Sequence, residues 1–305
     1  MKFLPMLWHS GLVSALLLLP LAACSYDPPT LAEVSAQSSA QSQAQSQAQL
    51  QAEILTRLET ADVVYLAETH DDPADHQAQL EIIQSLDQAR EIAIALEMFQ
   101  RPFQPTLDRY LAGELTEAEL IAQSEYETRW GFPWELYAPI MRYAKANQIP
   151  LIALNTPAEV TRKVAQTGLD SLAEADLRYI PPLAEIDTSD TDYQDWLRQF
   201  LEGHGGPHGG LSFENFFAAQ VLWDETMAEG VADYAAAHPD QQVIVLAGEG
   251  HIIFDYGIPS RVARRLGADL TQYSVLLHPP DATLTETDDH IADFFWTSAP
   301  PAKPE

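Results

Sequence analysis

Two short stretches far apart in this chain carry the same succession of residue types. Val63-Val64-Tyr65-Leu66-Ala67-Glu68-Thr69-His70 and Val243-Ile244-Val245-Leu246-Ala247-Gly248-Glu249-Gly250-His251 each run from apolar, β-branched residues into a Glu-x-His pair. Glu68, His70, Glu249 and His251 are donors for a divalent metal, and one Glu could serve as general base toward a metal-activated water. Asp71 and Asp72 add oxygens just after the first pair, and Gly248 and Gly250 permit close backbone approach in the second. Glu97 joins the candidate metal set: it ends Ala95-Leu96-Glu97, and an ionised carboxylate after a buried run needs a partner, for which Arg101 is the nearest cation. A single such residue has an ordinary explanation as a helix cap or a satisfied histidine. Four apolar runs ending in polar groups (Glu68/His70, Glu97, Asn155, Glu249/His251) point instead to a site.

The elements that must position these groups follow from hydrophobic pattern. Strands are predicted at Asp62–Ala67, Ile92–Glu97, Leu151–Asn155, Gln242–Ala247 and Tyr273–Leu277, mostly as continuous rather than alternating apolar runs. Helices are predicted at Asp75–Ala89, Trp134–Asn147, Pro157–Gln166, Glu214–Ala237 and Pro259–Leu266. The fold class is α/β, a largely parallel central sheet with helices on both faces and a helical insertion between Leu154 and Val243. The repeated motif implies two related halves. In such sheets ligands sit beyond the carboxyl ends of the strands, so both Glu-x-His pairs should reach one edge.

Two other segments could serve a ligand. His204 and His208 lie in Gly203-His204-Gly205-Gly206-Pro207-His208-Gly209-Gly210, where they could reach a metal or haem, or simply punctuate a flexible connection. Tyr126, Trp130, Trp134 and Tyr137 form an aromatic segment with Arg129. As a core cluster they need no function; as a pocket wall they would suit a flat porphyrin, with Arg129 or Arg142 on a propionate.

The N-terminus reads as a targeting segment. Lys2, the apolar run Leu12–Leu21 and Leu21-Ala22-Ala23-Cys24 resemble a lipoprotein signal with lipidation at Cys24. Cys24 is the single cysteine, which excludes disulfides, thiolate zinc sites and a thiol nucleophile elsewhere. Residues 1–23 are expected as signal peptide, 24–50 as a flexible lipidated tether rich in Ser, Ala and Gln whose Ala/Gln-rich second half could be partly helical, 51–298 as the α/β domain, and 299–305 as a disordered tail. Nothing after Cys24 is long and apolar enough to span a membrane, so the lipid would be the membrane partner. The formal charge of −29 opposes binding to nucleic acid.

Several stretches taken together resemble a known family. They are Leu66–Asp71, Ala95–Phe99, Trp134 with Tyr137 and Pro139, Ile152–Asn155, Ala219-Gln220 with Trp223-Asp224 and Met227, and Ala247–His251 with Gly257-Ile258-Pro259. The set resembles the ChaN-like haem-binding uptake lipoproteins of the Tiki/TraB/erythromycin-esterase superfamily, over about residues 60 to 280. The resemblance implies a bacterial, extracytoplasmic lipoprotein that binds haem for iron acquisition, as a homodimer around it. It also implies a signature of paired Gly-x-x-His elements plus Glu, which in some relatives supports hydrolysis or metal-dependent proteolysis. Position by position that signature falls on Glu68, His70, Glu97, Gly248 and His251, with Ala67 standing where the first Gly is expected. Among haem ligands the resemblance favours Tyr137, with Tyr126, His204 and His208 as rivals. Two readings follow: a haem-binding lipoprotein, or a metal-dependent hydrolase or peptidase.

Overall fold

Runs of aliphatic residues form strands sealed on both faces. In the computed structural model, which describes residues 31–203, 212–277 and 290–297, every residue of β1 (Val63–Glu68), β2 (Ile92–Gln100) and β4 (Gln242–Gly248) is buried. With β3 (Leu151–Asn155), β5 (Gln272–Leu276) and the two-residue β6 (Phe294–Phe295) they form one parallel sheet in the order β3-β2-β4-β1-β5-β6. Burial is two-sided because alternate residues feed different cores. Val64 and Leu66 join one apolar cluster, and Val63, Tyr65 and Ala67 the other.

Helices α2 (Pro73–Ala89) and α6 (Trp134–Asn147) supply the first cluster, with the end of α1 (Leu31–Leu58). Between β2 and α6 lie the short helices α3 (Gln104–Leu111), α4 (Glu117–Gln123) and α5 (Tyr126–Arg129). The expected insertion follows β3 as α7 (Ala158–Thr167), α8 (Thr191–Gly203) and α9 (Phe213–Ala237), packed around Val164, Tyr193, Phe217 and Leu222. Helix α9 also covers the second sheet face, together with α10 (Ile258–Leu266).

One feature of this topology makes the site. β1 and β4, the two repeated segments, are parallel neighbours in direct register, with Ala67 opposite Ala247 and Glu68 opposite Gly248. The chain leaves β1 for α2 on one face and leaves β4 for α10 on the other. Adjacent strands whose exits part to opposite faces open a crevice at their carboxyl ends.

The five predicted strands and five predicted helices are all present, with ends shifted by at most three residues. Helices α3, α4, α5 and α8 and strand β6 were not anticipated. Chain contacts divide Met1–Gln43 from Ala44–Glu305. From Leu31 onward the expected tether is helix α1: Ala and Gln favour helix, and Ile54 and Leu58 bury its last turns. Cys24, His204, His208 and the 1–23 and 299–305 segments lie outside the described residues. Among the described residues no helix is long and apolar enough to cross a membrane.

Candidate functional site

The first half of the site grows from the end of β1. Asp72 caps α2 by accepting from the Ala74 N–H, with Pro73 at the first helical position, and this turns the chain sharply after His70. Asp72 is thus a cap and not a ligand. Glu68 points into the core, 2 % exposed, and is fully engaged there. It accepts from the Tyr137 hydroxyl at 2.5 Å and from Gln79 Nε2 at 2.5 Å, and it holds His70 Nδ1 at 2.8 Å. Burial would push the Glu68 carboxyl up, but the His70 bond, the nearby His76 imidazole and the Tyr137 hydroxyl outweigh it and lower it. Burial likewise opposes a charged His70, and the bond to Glu68 with the field of Glu97 overcomes it, so His70 titrates above the ordinary range. Trp130 and Phe132 pack on the ring at 4.9 and 4.8 Å. Its Nε2 has no hydrogen bond among the described residues.

The second half grows from β4 and α9. His251 Nδ1 lies 2.6 Å from Asp224 Oδ1, and Asp224 Oδ2 accepts from the Tyr193 hydroxyl at 2.9 Å. On the other side His251 Nε2 is 3.5 Å from Glu97 Oε1. Burial disfavours the imidazolium, but the carboxylates of Glu97 and Asp224 outweigh burial and raise the His251 pKa to about 9. Glu97 finds its partners here and not in Arg101: its Oε2 accepts from the Gly248 N–H at 2.7 Å, while Arg101 pairs with Glu229 at 2.6 Å. Asn155 Nδ2 donates to the Glu97 carbonyl, joining the third strand end to the network.

Two glycines let the halves meet. A Cβ on Gly248 would stand 2.7 Å from His70 Cε1, so the His70 ring lies on the β4 backbone. A Cβ on Gly257 would stand 2.1 Å from the His251 carbonyl oxygen. Gly250 faces open space.

Both histidines line one cavity of about 580 Å³, with Glu68, Asp71, Gln220 and Glu249 on its polar side. Its apolar wall is Phe132, Phe216 and the α8 residues Trp196, Leu197, Phe200 and Leu201. The size and the mixture of one apolar wall with a few convergent polar groups suit a small-molecule site.

Several expectations need correction. The structure brings Glu68, His70, Glu97, Glu249 and His251 to one place, yet no group of three His, Asp or Glu side chains among the described residues is arranged to hold a metal ion. The carboxylates of Glu68 and Glu97 are spent orienting imidazoles and a backbone amide. Tyr137 is fully buried against His76, outside the cavity lining. Burial and the Glu68 charge drive its phenol far up, so it donates to Glu68 and offers no phenolate to iron. Trp134 donates to Glu117 and packs edge-on against Tyr126. Arg129 is shared among Gln100, Glu125 and Glu159, and Arg142 is paired with Glu117. None of these is turned to the cavity. Asp224 and Tyr193, which orient His251, and Gln79 and His76, which brace Glu68, were not among the expected site residues. An Asp amid Val221-Leu222-Trp223 on an apolar helix was the available signal for the first.

A solved structure described as cofacial haem binding to ChaN of Campylobacter jejuni is similar in fold, with a TM-score of 0.58 and 18 % identity over 79 % of this chain and 91 % of that one. An erythromycin esterase in an open conformation aligns with a TM-score of 0.45 and 16 % identity, over 74 % of this chain and 72 % of that one. Among curated proteins, RETICULATA-RELATED 5, chloroplastic, from Arabidopsis thaliana is 28 % identical over 265 residues. The match takes in 80 % of this chain but only 35 % of that protein's length. Residues 54–262, from the end of α1 into α10 and including every cavity-lining residue named above, match the family described as haem-binding uptake, Tiki superfamily, ChaN, and the chain belongs to that family.

Proposed function

We propose that this protein binds haem in the cavity between the ends of β1 and β4, with His70 as the imidazole that meets the iron. The observation that carries the reading is the state of the His70 ring. Its Nδ1 is fixed on the buried Glu68, its Nε2 is unbonded among the described residues, and its side chain is 26 % exposed beside an aromatic wall. A carboxylate on the remote nitrogen is the usual arrangement behind a metal-bound histidine, since it fixes ring orientation and strengthens the donor. Haem would supply an iron centre for ligation, and the protein's part is to orient the imidazole and cover the ring with Trp196, Phe200 and Phe216.

Hemin titrated into the protein should give a Soret band that saturates, and His70→Ala should shift or abolish it with affinity reduced at least about tenfold. A band of the same position and strength in His70→Ala would dismiss His70 as the ligand. No band at all would dismiss the haem reading.

The wider role in this proposal is haem or iron acquisition by a lipoprotein of the bacterial cell envelope, anchored through Cys24, with a second copy closing over the ligand. Phe200, 46 % exposed at the cavity rim, supports the last point. Labelled palmitate should enter the wild type and not Cys24→Ser; equal labelling would end the anchoring part.

A second reading, hydrolysis by acid–base catalysis, is favoured by one observation. His251 sits between Asp224 and Glu97, an arrangement suited to passing a proton to a bound substrate. Turnover of an ester substrate lost in His251→Gln would support it.

A further inference from the structure

Beside the cavity, α7 and α9 leave a groove of about 270 Å³ between them. Thr161 and Arg162 line it from α7, and Phe216, Gln220 and Trp223 from α9. Phe216 and Gln220 also line the main cavity, so the two spaces share a wall, and Trp223 stands edge-on to His251 with ring centroids 5.9 Å apart. Besides Gln220, whose amide lies against His251, two polar groups line the groove. The Thr161 side chain is 4 % exposed, and its Oγ1 has no hydrogen-bond partner. A buried hydroxyl left unbonded is costly and calls for an explanation.

The second group is the Arg162 guanidinium at the groove's open side. It makes no hydrogen bond or ion pair among the described residues. The arginines nearer the sheet edge differ: Arg101 is committed to Glu229, Arg129 to Glu159 and Arg142 to Glu117. Glu159, one turn before Arg162, feels the Arg162 charge but makes its ion pair with Arg129. In a chain of net charge −29, Arg178 and Arg198 also lack an ion pair among the described residues but lie over the rings of Tyr179 and Phe213, whereas Arg162 has neither kind of partner there.

We propose that this groove is the carboxylate subsite of the cavity. A flat apolar ligand lies in the main cavity and passes a carboxylate arm across Phe216 and Gln220 onto the Arg162 guanidinium and the Thr161 hydroxyl. Guanidinium and carboxylate pair through two parallel hydrogen bonds, and the hydroxyl gains the partner it lacks. The inference rests on the haem reading, in which the arm is a propionate, and it assigns to Arg162 the part expected of Arg129 or Arg142.

The test compares hemin with hemin dimethyl ester, whose arms carry no charge, on the wild type, Arg162→Gln and Thr161→Val. Wild type should bind hemin about tenfold more tightly than the ester. Arg162→Gln should weaken hemin by about the same factor, leave the ester unchanged and keep the Soret position. Thr161→Val should weaken hemin by a smaller factor, again sparing the ester. Arg162 is exposed, so its variant is expected to fold normally. Hemin bound without preference over the ester, or weakened equally with it by Arg162→Gln, would overturn the subsite and leave the haem reading standing. Failure of the wild type to bind either compound would overturn both.

Discussion

Each histidine of the site gives Nδ1 to a buried carboxylate, and each carboxylate is braced from behind by a tyrosine hydroxyl: Glu68 by Tyr137 and Asp224 by Tyr193. The two differ in what faces the other ring nitrogen. His70 Nε2 is unbonded among the described residues, whereas His251 Nε2 looks at Glu97. His251 therefore carries a stability signature. Its folded pKa of about 9 lies above the ordinary histidine value, so its contribution is complete below about pH 6.5 and is lost as pH rises through 9. A shift of that size corresponds to about 3 kcal/mol. Urea midpoints for the wild type should fall between pH 6 and 9.5, and His251→Gln should show a flatter dependence over that window. Parallel curves would exclude His251 as the source. The glycines give a sharper contrast. Gly257→Ala forces a Cβ into the His251 backbone and should cost about 3 kcal/mol or more. Gly250→Ala meets open space and should stay within about 0.5 kcal/mol in the same denaturation experiment. The Glu-x-His pairs, Glu97 and the importance of Gly248 were legible because each sits where an apolar run stops. Asp224, Tyr193 and Gln79 were not, because they lie inside helices whose orientation toward the sheet only packing decides.

Among the elements, α9 connects the most. Its face toward the sheet edge carries Gln220 and Asp224, and the next residue, Glu225, is fully buried among three arginines of α10. Arg261 approaches Glu225 at 3.2 Å, Arg264 at 2.6 Å and Arg265 at 2.8 Å, which locks α10 and the loop following His251 onto α9. Glu225→Gln would leave buried guanidinium charge without its counter-ion and should destabilise the fold by about 3 kcal/mol, discounted for the partial exposure of Arg264. An unchanged unfolding midpoint would show that this cluster holds nothing. The pattern of α9 could be read from its length and apolar content. Helix α8, which supplies the cavity's aromatic wall, was hidden because Trp196, Leu197, Phe200 and Leu201 are separated by charged and polar residues and lead into a glycine-rich segment. The short helices α3 to α5 escaped for a related reason: the aromatic segment around Tyr126 and Trp134 packs as core, and nothing in its composition distinguishes core from pocket wall.

At the scale of the whole molecule, the sheet is what turns a sequence repeat into a site. β1 and β4 are separated by more than half of the chain, yet they lie side by side, and their opposite exits leave the crevice that holds both imidazoles. Strand positions and the parallel class could be read from continuous apolar runs, since only strands covered on both faces tolerate them. The order of the strands could not, because it depends on which crossover passes which face. The distance between His70 and His251 was therefore an expectation that only the fold could settle, whereas the partner of Glu97 and the role of Tyr137 came out differently from the sequence reading. The most direct test of the account is a crystal structure of the hemin-soaked protein with an anomalous difference map at the iron edge. The account predicts one iron peak per haem within bonding distance, about 2 Å, of His70 Nε2, inside the crevice between β1 and β4. An iron peak elsewhere, bonded to another side chain or remote from both histidines, would contradict it.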